Sequence, residues 1–485
     1  VRRATGLLIL LLAAVGLACN YGAPPPTAVP HAVTEPAVPL ATATEALPPS
    51  PTPVTAAPAE TPAAVPTETP TATPEPTVAP PVAPPYGAAV FDDGGNLVYL
   101  EPPAPGGEQA LLRPLTNSGQ DEALALSPDG RRVLFFRTDE NWESELWLVN
   151  TDGSGETRLV GRDRLPSRQE TDASGATVTV GRDPYSVAWL PDNRTVAFNT
   201  NWAYDYGLAL ADDVWLVDTG TLALTGLFPA GLGGGFAFSP DGSWVLLTTP
   251  GGSRADGSQV DGRIDLVRAD GSGRQTLVTF PMISTASEYQ FYPLPRWLPD
   301  GSGARVLVPS PAPWEPGAYG TLWAITLDGP AATELGRIPG NLLFQPDPWS
   351  PDFSRMAYVA QVGDPASNAR ELYLAGGSGR DALLYDSGEP VEFSGWSVDG
   401  ERFLYLKGQS RALHAGQIGG APQLLLEGGG GGILDLYWLD GDRFLYLAGD
   451  YGGWRLMLGA IDGTELLLAS PAGDFPSLVV AEKGS

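Results

Sequence analysis

The chain is poor in the residues that most often carry chemistry. Its 485 residues include one cysteine, Cys19, and two histidines, His31 and His414. A single cysteine forms no intrachain disulfide and no thiolate metal cluster. Two histidines, one of them in a Pro-rich stretch, supply neither a Ser-His-Asp triad nor a His-rich metal site. Gly376-Gly377-Ser378-Gly379 fails as a nucleophile elbow because Arg380 follows it. The run from Asn150 to Glu156 looks like a calcium loop but lacks the twelve-residue spacing and closing glutamate. The glycine runs 231–235 and 428–432 lack a following Gly-Lys-Ser/Thr, so no phosphate cradle is expected. No metal and no cofactor are expected. Basic residues are also scarce, 28 Lys and Arg against 56 Asp and Glu, a formal charge of -28. Such a surface repels phosphate backbones, which argues against nucleic acid as a partner.

What is present begins with an export pattern. Arg2 and Arg3 precede the apolar run from Leu7 to Leu17, too short for a comfortable membrane span, and Cys19 follows. Residues 1–19 resemble a bacterial lipoprotein signal, although Gly16 and Leu17 stand where that pattern has Leu and then a small residue. The resemblance implies acylation at Cys19 and a body exported to the outer side of a bacterial membrane. Residues 20–86 are Pro, Thr and Ala with five Glu and no Lys or Arg. Such a segment cannot bury a core, and its prolines favour extended polyproline II. It reads as a disordered stalk.

Residues 87–485 carry one motif eight times. An apolar run enters a Pro-Asp-Gly-like turn and a second apolar run leaves it. The turn aspartates are Asp93, Asp129, Asp192, Asp241, Asp300, Asp352, Asp399 and Asp440. Ala123–Leu126, Val133–Phe136, Glu145–Val149 and Thr157–Val160 read as the four strands of one unit, joined by Ser127-Pro128-Asp129-Gly130 and by Asp152-Gly153-Ser154-Gly155. An aromatic precedes the turn in most units, as at Trp189, Phe238, Trp297 and Trp349. A four-stranded unit cannot bury both faces alone, whereas a ring of them can.

These repeats resemble the WD-like propeller repeats of the TolB family and the propeller domains of the prolyl oligopeptidase family. The resemblance implies an all-β propeller of four-stranded antiparallel blades over 87–485. Eight blades are expected, with seven as the alternative, and strands from both termini close the ring. Oligopeptidases of that family need a separate hydrolase domain, and no segment of this sequence is left to build one. TolB's partners are not implied, because the stalk stands where its N-terminal domain belongs.

Function is expected on the face carrying the long, dissimilar loops. Candidate ligand-binding aromatics there are Trp142, Trp202, Tyr204, Tyr206, Trp314, Tyr319, Tyr451 and Trp454, since Trp and Tyr dominate binding hot spots. Acids such as Asp212 and Asp213 lie beside them. His414 occupies the strand slot held elsewhere by Trp147, Trp215, Trp323 and Tyr373 and is expected to pack there. The leading expectation is a non-catalytic module that binds protein, peptide or glycan. The alternatives are a carboxylate-dependent glycan hydrolase or lyase in the axial funnel, needing two close acids on neighbouring blades, and an envelope-assembly scaffold.

Overall fold

The computed structural model describes residues 87–480 except 142, 172–174, 203–209, 254–257, 286–289, 344, 362–369, 429–431, 451–452 and 474–475. The expected signal and stalk lie outside the described residues, as do Trp142, Tyr204, Tyr206 and Tyr451.

Eight antiparallel sheets follow one another along the chain. Blade 2 sets the pattern, with strands a to d at Asp121–Leu126, Arg132–Thr138, Ser144–Asn150 and Thr157–Val160. The middle strands are continuous apolar runs because each is buried on both faces, and alternate side chains serve opposite neighbours. Val133 and Phe135 pack towards blade 1, whereas Leu134 packs towards blade 3. In blade 7, Phe403 and Tyr405 face blade 6 while Leu404 and Leu406 face blade 8.

The described residues form eight apolar clusters, one at every blade-to-blade contact. Eight units in a line would make only seven such contacts. The eighth joins Leu445, Leu447 and Leu456 of blade 8 to Ala89, Phe91 and Leu478 of blade 1. Each buried Leu or Phe contributes about 1.5–3 kcal/mol, so every contact is substantial. The chain is an eight-bladed propeller, and its ring is closed.

Blade 1 mixes the two ends of the body. Its strand a is Leu478–Val480, followed across the sheet by Ala89–Asp92, Leu97–Glu101 and Leu111–Pro114. The eight turns therefore do not all join the same pair of strands. Asp93 lies between strands b and c of blade 1, whereas the other seven aspartates lie between strands a and b. It therefore sits on the opposite face, where its Oδ1 accepts the Ala472 N–H at 2.7 Å and ties the two chain ends together.

The other turns follow sequence chemistry. The Gly130 N–H bonds the Ser127 carbonyl at 2.7 Å, and the Ser127 hydroxyl donates to Asp129 Oδ1 at 2.6 Å. Ser239 and Ser243 donate likewise to Asp241, holding its carboxyl below the usual range. Gly130, Gly242, Gly301 and Gly400 take a positive φ of 64–70°. Asn193 and Phe353 adopt 56° and 60° at the same station, and the Phe353 ring is covered by Trp349 and Arg296. Among the described residues the one helical element is a 3-10 turn, Arg162–Arg164.

Candidate binding channel and long-loop face

The first strand of each blade lines the axis, so what those strands carry decides what the axis accepts. Blades 3, 4, 5 and 7 contribute Arg182–Trp189, Gly235–Phe238, Arg296–Trp297 and Val391–Trp396. In blade 6 the first strand shrinks to one bridge, Trp349 with Met356. The aromatic before the turn joins neighbouring blades. The indole N–H of Trp297 donates to the Ala237 carbonyl at 2.9 Å, that of Trp396 to Pro348 at 2.9 Å, and that of Trp438 to Gly395 at 3.2 Å. Each acceptor stands one residue before the corresponding aromatic of the preceding blade. Trp349 instead reaches the Gly377 carbonyl of its own blade at 2.8 Å.

These strands enclose a cavity of about 1390 Å³ lined by residues of blades 1 to 6. Its wall includes Leu124, Val187, Trp189, Phe236, Phe238, Phe291, Trp297, Trp349, Val479 and many prolines. Among the described lining residues, Arg296 and Asp347 are the charged ones, and they pair at 2.6 Å. Arg296 also donates to the Trp349 carbonyl at 3.1 Å and lies 4.4 Å over Phe353. At the long-loop end stands Tyr292, whose hydroxyl is 2.9 Å from Asp212 Oδ1. Burial raises the Asp212 pKa, and the bond from Tyr292 opposes that rise.

Of the aromatics singled out from sequence, the four described ones, Trp202, Trp314, Tyr319 and Trp454, pack on their own scaffold. Trp202 is sandwiched between the guanidinium of Arg168 at 3.9 Å and that of Arg182 at 4.3 Å. Arg168 belongs to an added hairpin, Arg168–Thr171 with Thr177–Val180, so Trp202 helps hold that hairpin on blade 3. Tyr319 has Arg337 at 4.6 Å over its ring. Trp314 packs on the cluster between blades 4 and 5 with its indole N–H buried and unpartnered. Trp454, 7% exposed, is part of the cluster that closes the ring, which corrects its placement among surface ligand contacts. Asp213 is fully buried and takes bonds from Arg182, Thr200 and Trp215 at 2.7, 2.6 and 2.8 Å, a structural role. His414 stacks on Tyr405 at 5.2 Å, as Tyr373 stacks on Tyr358 at 5.6 Å in blade 6.

A second feature lies where blades 1 and 2 meet. Asp121 is held by Arg137 at 2.7 Å, and Asp92 Oδ1 accepts the Gly95 N–H at 2.5 Å. Burial pushes the Asp92 carboxyl up to about 7. Glu122, Asp93 and Asp121 add to that rise, and the Gly95 bond opposes it. Glu122 reaches solvent yet is crowded by protein, and burial raises it too. Sequence reasoning placed a funnel on the axis but did not identify its apolar lining. The available signal was that the aromatics preceding the turns all end first strands and must share the axis.

No protein-family model matches the chain. Over 57 residues it is 46% identical to Tol-Pal system protein TolB 1 of Novosphingobium aromaticivorans, a match spanning 12% of this chain and 12% of that protein. Among solved structures, TolB from Acinetobacter baumannii aligns with 80% of this chain and 79% of its own at 14% identity, TM-score 0.35. An oligogalacturonate lyase in complex with manganese aligns with 78% of this chain and 96% of its own at 13% identity, TM-score 0.44. Dipeptidyl peptidase 4 of Porphyromonas gingivalis aligns with 80% and 59% at 10% identity, TM-score 0.46. The sequence similarity to TolB 1 is confined to that short stretch of each chain.

Proposed function

We propose that this chain is an exported propeller, anchored to a membrane through Cys19 and a stalk of residues 20–86, that binds an extended apolar stretch of polypeptide in its axial channel without transforming it. One observation carries the reading: among the described residues, the wall is mostly aromatic, aliphatic and proline side chains, with one ion pair and a few uncharged polar groups, Ser127, Ser239, Tyr292 and Gln345. An apolar side chain entering it gains about 1.5–3 kcal/mol. A sugar brings several hydroxyl groups, each costly to dry unless a partner meets it. Peptide is therefore preferred to glycan.

The test uses the intact chain from membrane fractions on peptide and glycan arrays, beside Ala125→Trp and Ala188→Trp variants whose new rings fill the channel. Saturable binding of apolar peptides, lost in both variants, is the expected result. Glycan capture that ignores the two substitutions would overturn it. The preparation also tests the anchor, since a Cys19→Ser variant should leave the membrane fraction.

The glycan-active alternative has one observation in its favour, the Asp92 carboxyl, raised by burial, beside Glu122 on the neighbouring blade. Product released from the glycan array, and abolished by Asp92→Asn, would establish that reading over binding.

A further inference from the structure

The outer strands differ between the two halves of the ring. In seven blades the register between strands c and d shifts at one station, and the residue of strand d opposite it can be compared directly. In blades 2 to 5 that residue is Arg158, Gly226, Thr276 and Glu334. In blades 6, 7 and 8 it is Leu384, Leu424 and Leu467.

The polar residues turn back onto the protein: Arg158 pairs with Glu145 and Asp163, and Thr276 donates to Asp265 at 2.6 Å. The three leucines do not, and remain 52%, 46% and 52% exposed. Leu383 in blade 6 and Leu111 and Leu112 in blade 1 extend the same arc. All six sit on the last strand of their sheets, whose outer backbone edge has no neighbouring strand among the described residues. Soluble proteins normally guard such edges with charge or proline, because they template pairing with another chain. Here these exposed leucines gather on one part of the ring, blades 6, 7, 8 and 1, although Asp386, Glu465, Arg113 and Pro114 remain on those strands.

We propose that the outer edges of blades 6, 7 and 8 are strand-addition sites for a basic, apolar, extended polypeptide. Backbone pairing to the free edge supplies affinity, and alternate side chains supply choice. The leucines select apolar residues at every second position. Acids at or beside the same strands, Asp381, Glu427 and Glu465, select Lys or Arg between them. Charge also disfavours a second copy as the occupant, because each chain carries -28.

The probe is a fluorescent heptapeptide alternating Lys and Leu, with an alternating Glu and Leu peptide as control. It is titrated into the intact chain and into a triple variant, Leu384→Glu with Leu424→Glu and Leu467→Glu. All three positions are exposed, so the variant is expected to fold, and its unfolding curve should match that of the parent. The Lys-Leu peptide should bind saturably, at least tenfold tighter than the Glu-Leu peptide and at least tenfold tighter than to the triple variant. Amide exchange should slow in Leu383–Asp386, Gln423–Leu426 and Glu465–Ala469 and stay unchanged in the first strands along the axis, which separates this edge from the channel. The proposal fails if the triple variant binds equally well, or if protection appears only along the axis. It fails equally if the parent forms a dimer that the triple variant abolishes, because the occupant is then a second copy.

Discussion

Asp92 shows how one side chain links closure of the ring to pH. It ends strand b of blade 1, and its backbone N–H bonds the Ser477 carbonyl at 3.0 Å, at the entry to the closing strand. Burial raises its carboxyl to about 7. Asp435 in blade 8 is raised to about 6, also by burial, against an opposing bond from the Leu478 N–H. A carboxyl raised on folding binds its proton more tightly in the folded state than in the unfolded state. The stability it lends is therefore complete below about pH 4 and is lost as pH climbs through 6 to 7. At 1.36 kcal/mol per pKa unit, the Asp92 contribution is on the order of 2–4 kcal/mol. Urea midpoints measured at pH 5 and pH 8 should differ in the parent, and Asp92→Asn should remove much of that difference. An equal pH dependence in the variant would show that Asp92 is not the responsible group.

Among the elements, the turn and the aromatic before it were both legible in sequence, but they do different work. The Ser-Pro-Asp-Gly turn is local chemistry, so its hydrogen bonds follow from four adjacent residues, as at Ser127 to Gly130. The indole clasp is not local. Trp297 finds its acceptor sixty residues away, on the preceding blade, and only the assembled ring shows the partner. Trp297→Phe keeps the ring's packing and removes one interblade hydrogen bond. The expected cost is about 1–2 kcal/mol, read as a lowered urea midpoint with an unchanged slope. No loss of stability would mean that the clasp contributes nothing beyond packing.

The same distinction separates what the sequence pattern carries from what it does not. Asp93 has the right turn residues, yet which strands a turn joins depends on where the C-terminal strand pairs. Trp202 and Trp454 have the composition of a binding surface. Whether their faces are open depends on Arg168, Arg182 and the blade 8 core, which spacing does not reveal. His414 was legible because its slot recurs in register with aromatics in other blades.

For the whole molecule, the channel and the free outer edges both follow from radial closure. The first strands share an axis because the blades form a ring, and the last strands become edges for the same reason. Closure itself rests on three residues, Leu478–Val480, paired with Ala89–Phe91. Since the Asp92 N–H bonds Ser477, the pair Ala89 and Val480 falls at a station without direct backbone hydrogen bonds, where antiparallel side chains approach most closely. That pair therefore suits a disulfide. The most direct measurement is oxidation of an Ala89→Cys, Val480→Cys double variant in a chain whose Cys19 is replaced by Ser. The ring predicts a monomeric, intramolecular cross-link joining the two ends of the body and a raised unfolding midpoint. Free thiols, or cross-links only between separate chains, would contradict closure and, with it, the channel.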